Sequence, residues 1–199
     1  MPNRFFSFQT NYASESVLTI EHRVITFQDL WQSYPSREII HLDPTTRADI
    51  FDNHCAINVS DSLVRCGVLL RAFSGDKCWS CPTPNEQGRG IHATRAQELA
   101  DYLKKRPFAE YPEGQRFTGV NYEESVGGKT GIIFFKDYWR RRGASARTGD
   151  HIDLWNNNEL ASIGWFLTTV RRRFPRFSED YLEMSDLRRS TEVIFWEID

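Results

Sequence analysis

Apolar residues fall at positions 56, 59, 63 and 66, with Ile57 and Val64 beside them. This helical spacing predicts a helix that opens close to Cys55 and stops at Gly67, a natural residue just past a helix end. Asn53 precedes the run, which puts Cys55 at or near the first turn. A second stripe, Ala96, Leu99, Ala100 and Leu103, predicts a helix over 94–105; Thr94 and Gln97 have capping-box spacing and Pro107 lies beyond the end. Thr26 to Tyr34 reads as a shorter helix, with Thr26 as N-cap, Asp29 three residues on, and Pro35 as terminator. The pattern then changes character. Gly131 to Phe135, His151 to Trp155 and Glu192 to Ile198 are short continuous apolar or alternating runs that read as strands, with turn chemistry at Gly127–Gly128 and Asn156–Asn158. Trp165 to Arg173 reads as a further helix ended by Pro175. Helices come first and strands later, which predicts an α+β fold with helices packed on a central antiparallel sheet. Residues 71–92 form a loop rich in Gly, Pro, Ser and Cys. Residues 1–22 are polar with scattered aromatics, so 1–45 reads as an N-terminal extension with its helix packed on a main domain at 46–199.

Composition narrows the partners. The 199 residues carry a net charge of −2, which argues against a nucleic-acid binder even though Arg140–Arg142 and Arg171–Arg173 are local basic runs. The 14 Phe, 7 Tyr and 6 Trp serve the core, or in part a groove for an extended ligand. The longest apolar runs are too short to span a bilayer, so no membrane insertion is expected. The first residues, MPNRFFSFQTNY, lack the apolar stretch of an export signal. The expectation is a protein made in the cytoplasm and not addressed to a general export route.

The candidate chemistry centres on cysteine. A cysteine nucleophile acts as the thiolate, and the free amides and dipole of a helix N-terminus stabilise that charge. Cys55 has this placement. Cys66 lies on the apolar stripe of the same helix and reads as an inert core thiol. A base is also needed. His54 is the sequence neighbour, but adjacent helical residues diverge by about 100°. His151, at the start of a strand, is free to face Cys55 in space. The plainer alternative is a buried Cys and a hydrogen-bonded surface His. Cys78 and Cys81 form one CxxC, half of a four-ligand zinc site. Cys66 and His92 could complete it, but nothing in the spacing requires this. Two free or disulfide-paired thiols are therefore expected, and no metal ligand or cofactor is assigned.

Several stretches resemble one family. NHCAINVSDSLVRCGVLL at 53–70 is similar to the active-site helix of the type VI secretion amidase effectors, specifically their fourth group. IHATRAQELADYLKK at 91–105 resembles the next helix. GKTGIIFF at 128–135 and GDHIDLWN at 149–156 resemble two strands of the family, and TEVIFWEI at 191–198 its closing strand. The resemblance covers most of 50–199. It implies a papain-like fold of the NlpC type and an antibacterial cysteine peptidase that hydrolyses the γ-D-glutamyl–meso-diaminopimelate bond of peptidoglycan stem peptides. It also implies delivery by the type VI secretion tube or spike to the target-cell periplasm, and neutralisation by a cognate immunity protein.

Carried over, the resemblance makes Cys55 the nucleophile and His151 the base. Better-known members place an orienting Asp on the strand that returns from the His strand, and that register falls near Ser162 here. Asp153, two residues after His151 and so on the same strand face, and Glu159, at the start of the returning segment, are the substitutes; Asp153 is preferred. The implied reaction is acyl transfer through a thioester, with an oxyanion held by backbone amides that include that of Cys55. Arg140–Arg142 or Arg147 are candidates for binding substrate carboxylates. Two other classes of function fit a Cys–His pair: a papain-like deamidase or transglutaminase acting on a protein, and a non-catalytic binding module with a degenerate site.

Overall fold

The computed structural model describes residues 4–9, 17–22, 24–68, 70–81, 90–107, 110–139, 145–164, 167–168 and 186–199. Its architecture is α+β. Helices α1 (Phe27–Ser33), α2 (Cys55–Arg65) and α3 (Ala96–Lys104) come first. Next are β3 (Gln115–Phe117), the one-turn helix α4 (Tyr122–Val126), β4 (Thr130–Trp139), β5 (Gly149–Asn156), β6 (Glu159–Leu160) and β7 (Glu192–Glu197). Among the described residues the main sheet has the order β3-β7-β4-β5-β6, every pair antiparallel. Before α1 lie β1 (Arg4–Gln9) and β2 (Val17–His22), paired antiparallel from Arg4↔His22 to Gln9↔Val17. The first 22 residues thus contain a strand pair that their polar pattern did not suggest. No helix among the described residues is long and apolar enough to cross a membrane.

The sheet separates two apolar layers. On one side Ala56, Val59 and Leu63 of α2 and Leu99, Ala100 and Leu103 of α3 pack on Ile132, Phe134, Ile152, Leu154, Ile194 and Trp196. On the other, Tyr122 and Val126 of α4 and Leu187 pack on Ile133, Phe135, Trp155, Val193 and Phe195. The odd–even alternation along β4 and β7 is the period of a pleated strand buried on both faces, which explains why these runs read as continuously apolar. Helix α1 belongs to the first layer. Leu30 is fully buried there, its carbonyl accepts from Ser62 Oγ of α2 at 2.7 Å, and the Phe27 amide donates to the Asp199 carbonyl at 2.8 Å.

Local signals account for most helix ends. Thr26 and Asp29 form a reciprocal capping box at α1. Gly67 has φ 91°, the left-handed conformation that ends α2. The capping box expected at Thr94 is absent. Arg95 is the N-cap of α3, and the Thr94 hydroxyl and amide both go to the Asp76 carbonyl. The bridge between Lys77 and Ala93 holds Thr94 against the preceding loop and turns it away from the helix it was expected to cap. The helix expected at 165–173 lies largely outside the described residues.

Gly131 tests the packing directly. It pairs with Trp155 on one side and Glu197 on the other, and a Cβ there would fall on the Trp196 carbonyl oxygen. Gly131→Ala must therefore push β7 from β4 in the middle of the sheet. The expected cost is roughly 3 kcal/mol, read as a lowered urea midpoint at unchanged m-value.

Candidate active site

Cys55 is the first residue of α2. The turn before it is set by Asn53, whose side-chain oxygen accepts from the Cys55 amide at 2.9 Å. The thiol therefore sits at the positive end of an 11-residue helix. The amide expected to help hold an oxyanion is the one engaged with Asn53. His54 points elsewhere: its Nε2 is 2.9 Å from Asp49 and its Nδ1 is 3.5 Å from Glu38. Cys66, at the far end of α2, is buried and faces the Ser33 hydroxyl at 3.4 Å, as an inert core thiol should.

His151 is the third residue of β5. It pairs with Phe135 of β4, and directly beyond this pair the ladder is irregular: the next pairing is Trp139 with Gly149. The extra residues of β4 include Asp137, at φ 52°, whose amide donates to Asp150 Oδ1 at 2.9 Å. Such a bulge bends a strand and re-aims the side chains beside it. Helix α2 packs on β5, which brings the Cys55 thiol close enough to help raise the His151 pKa.

Asp153 follows two residues later. Its Oδ2 is 3.4 Å from His151 Nε2, an ion-pair distance without the alignment of a well-formed hydrogen bond. The carboxylate is fully buried and held in place. Oδ1 accepts from the Leu154 amide at 2.8 Å, and Oδ2 accepts from the Ser162 amide at 3.1 Å and the Ser162 hydroxyl at 2.5 Å. Ser162 reaches it because the tight turn at Asn157–Asn158, both at positive φ, folds the chain back beside β5, with Trp155 opposite Leu160. Extended by two residues, that register sets Ser162 opposite Asp153. Ser162, where the resemblance led one to expect an Asp, thus supplies two donors to a carboxylate from the neighbouring strand. Glu159 pairs with Asn156 at the turn end of β5 instead.

Burial alone would push the His151 imidazole to lower pKa. The Asp153 carboxylate and the Cys55 thiol more than offset this, and the imidazole is held well above its ordinary value. Sequence reasoning missed two neighbours. The Tyr34 hydroxyl lies beside Asp153 and Asn58, and burial together with the Asp153 charge raises its pKa, so it remains a neutral phenol. Tyr34, Asn58 and Ser162 also line a cleft of about 460 Å³ bounded by Trp31, Pro35 and Arg37. Only the fold joins α1, α2 and the turn after β5 into one wall. Cys55 and His151 retain 8% and 9% of their surface, whereas Asp153 has none, so the first two are open to contact from outside and the third is not. Arg147 is exposed, and Arg140–Arg142 lie outside the described residues.

Comparison with known proteins now bears on this geometry. Residues 51–196 match the family described as type VI secretion system (T6SS), amidase effector protein 4. The chain belongs to that family. This amidase effector is thereby a peptidoglycan-hydrolysing antibacterial toxin, exported by a type VI secretion system. The matched span starts four residues before Cys55 and ends at Trp196 in β7, so it takes in all but the last residue of the main sheet, and Cys55, His151 and Asp153 with it. Among solved structures, the amidase effector resembles a chain of the type VI effector–immunity complex Tae4–Tai4 from Enterobacter cloacae. The two are 21% identical over 75% of this chain and 77% of that one, with a TM-score of 0.45. No curated protein matches.

Proposed function

We propose that this amidase effector is a cysteine peptidase in which Cys55 is the nucleophile, His151 the acid–base and Asp153 the positioning carboxylate. Its target is the γ-D-glutamyl–meso-diaminopimelate bond of peptidoglycan stem peptides, in the periplasm of the attacked cell. The observation that carries this reading is the ordered chain of contacts: a thiol at a helix N-terminus, an imidazole in reach of it, and a buried carboxylate against the far nitrogen of that imidazole.

With Nε2 turned to Asp153, the other ring nitrogen exchanges a proton with the sulfur. The thiolate of Cys55 attacks the amide carbon, and the protonated His151 gives its proton to the departing amine of diaminopimelate. Water, deprotonated by the now neutral imidazole, then opens the thioester. Oxyanion stabilisation by the Cys55 amide requires Asn53 to give way when substrate binds. The cleft beside Tyr34 and Ser162 provides a route for an extended stem peptide. A cognate immunity protein, of the kind that accompanies the Enterobacter cloacae effector, would act by covering this mouth.

Digestion of purified sacculi checks the bond. The expected products are muropeptides ending in D-glutamate with a free carboxyl, and released peptides that start with a free α-amine on diaminopimelate, both identified by mass spectrometry. Release of intact stem peptides from muramic acid, or no release at all, would refute the assignment.

A further inference from the structure

A second cluster lies apart from the catalytic one. His41, Cys78, Cys81 and His92 each turn one potential ligand atom inward, and these four atoms all lie within 4.8 Å of one another. We propose that they form a structural zinc site of the Cys2His2 type. The pair of thiols is not joined as a disulfide. Cys66, which the sequence left open as a ligand beside His92 without any spacing to require it, faces Ser33. The role falls to His41, 37 residues before Cys78 and without any local motif to reveal it.

The distances suit an ion better than they suit hydrogen bonding. His92 Nδ1 is 3.4 Å from Cys78 Sγ, 3.4 Å from Cys81 Sγ and 3.4 Å from His41 Nε2. A ring nitrogen has one in-plane lone pair or one N–H, so it cannot satisfy three such neighbours. A tetrahedron around zinc, with Zn–S about 2.3 Å and Zn–N about 2.05 Å, has edges of about 3.3–3.8 Å.

The tautomers are fixed in the required sense. His41 Nδ1 is 3.0 Å from the Ile39 carbonyl, which can only accept; Nδ1 therefore carries the proton and Nε2 offers its lone pair to the cluster. His92 Nε2 is 3.1 Å from Asp61 Oδ1, so the proton sits on Nε2 and Nδ1 faces inward. Asp61 is itself paired with Arg65 at 2.6 Å. A carboxylate or carbonyl behind each ligating imidazole is the usual outer support of a zinc site. The His92 amide also points at Cys78 Sγ at 3.4 Å, and the Cys78 amide donates to the His92 carbonyl at 2.9 Å.

Charge and burial fit a closed site. Both imidazoles are fully buried and Cys78 nearly so. Two thiolates balance Zn²⁺, so the buried assembly is neutral, and loading releases the two thiol protons. A two-iron cluster would hold the Cys pair and the His pair further apart on separate metals. The ion would tie the segment before α2, the CxxC loop and the entry to α3 into one support behind α2.

Metal content tests this. The full chain with Cys55→Ala, purified untagged and without added metal, is expected to carry one zinc per chain by mass spectrometry of the elements. Adding Cys81→Ser should bring the content close to zero. If that variant does not fold, cobalt exchange into the Cys55→Ala chain serves instead. The intense visible spectrum of tetrahedral, thiolate-bound Co²⁺ is expected at one equivalent. A metal-free chain that gives no such spectrum, or a Cys78–Cys81 disulfide found by peptide mapping, would overturn the proposal.

Discussion

Cys55→Ala is expected to lower the rate of muropeptide cleavage by roughly 10⁴- to 10⁶-fold, with His151→Ala about as damaging. The size follows from the roles. Without the sulfur there is no acyl-enzyme, and without the imidazole there is neither an acceptor for the thiol proton nor a donor for the leaving amine. Because the two act as a unit, the double variant should be scarcely worse than either single one. Folding is not the explanation to fear. Cys55→Ala removes one atom from a residue at the rim of the core, and an alanine is tolerated at the start of a helix. Release of soluble fragments from sacculi, with circular dichroism as the folding control, measures the effect. A Cys55→Ala chain that cleaves as fast as the parent removes the cysteine mechanism altogether. Additive losses would show instead that the two side chains act separately.

How much of this was readable from residues alone depends on the range of each interaction. Helix α2 was legible because its apolar spacing, its Asn53 start and its Gly67 stop are all local, and the placement of Cys55 came with it. Strands β4, β5 and β7 were legible as apolar runs. The pairing of His151 with Asp153 needed only the two-residue period of a strand. Where contacts depend on pieces far apart in the chain, the residues gave no sign. Ser162 looked like a gap in the family pattern until the register across the Asn157–Asn158 turn set it opposite Asp153. Tyr34 read as the last residue of an amphipathic helix, and only the packing of α1 on α2 carries it to the same carboxylate. His41 stands in a turn-rich segment with no periodicity, and its meeting with Cys78, Cys81 and His92 depends on three loops converging. Helix α4 and strands β3 and β6 are five, three and two residues long, too short for any period to show.

Asp153→Asn is the sharper test, because it leaves nucleophile and base in place. Asn keeps the shape and one acceptor for Ser162, and it removes the charge that holds a proton on His151. The expected loss in kcat/KM is on the order of 10²- to 10⁴-fold, carried by kcat with KM little changed, since Asp153 has no surface to offer a substrate. The pH profile tells this positioning role from a merely structural one. The proposed mechanism has thiolate with imidazolium as its reactive form, so on that mechanism the alkaline limb reports loss of the imidazolium proton and belongs to the Cys–His pair as a whole. Burial lowers the imidazole pKa while Asp153 and Cys55 raise it, and the net direction is upward. Taking away the carboxylate must move that limb to lower pH. The same sign governs stability. A His whose folded pKa lies above its unfolded value contributes fully below about 6.5, and the contribution fades as pH rises through the folded value. The gap in unfolding free energy between parent and Asp153→Asn should therefore narrow on the alkaline side. An alkaline limb that stays where it was would show that something other than Asp153 keeps the proton on His151.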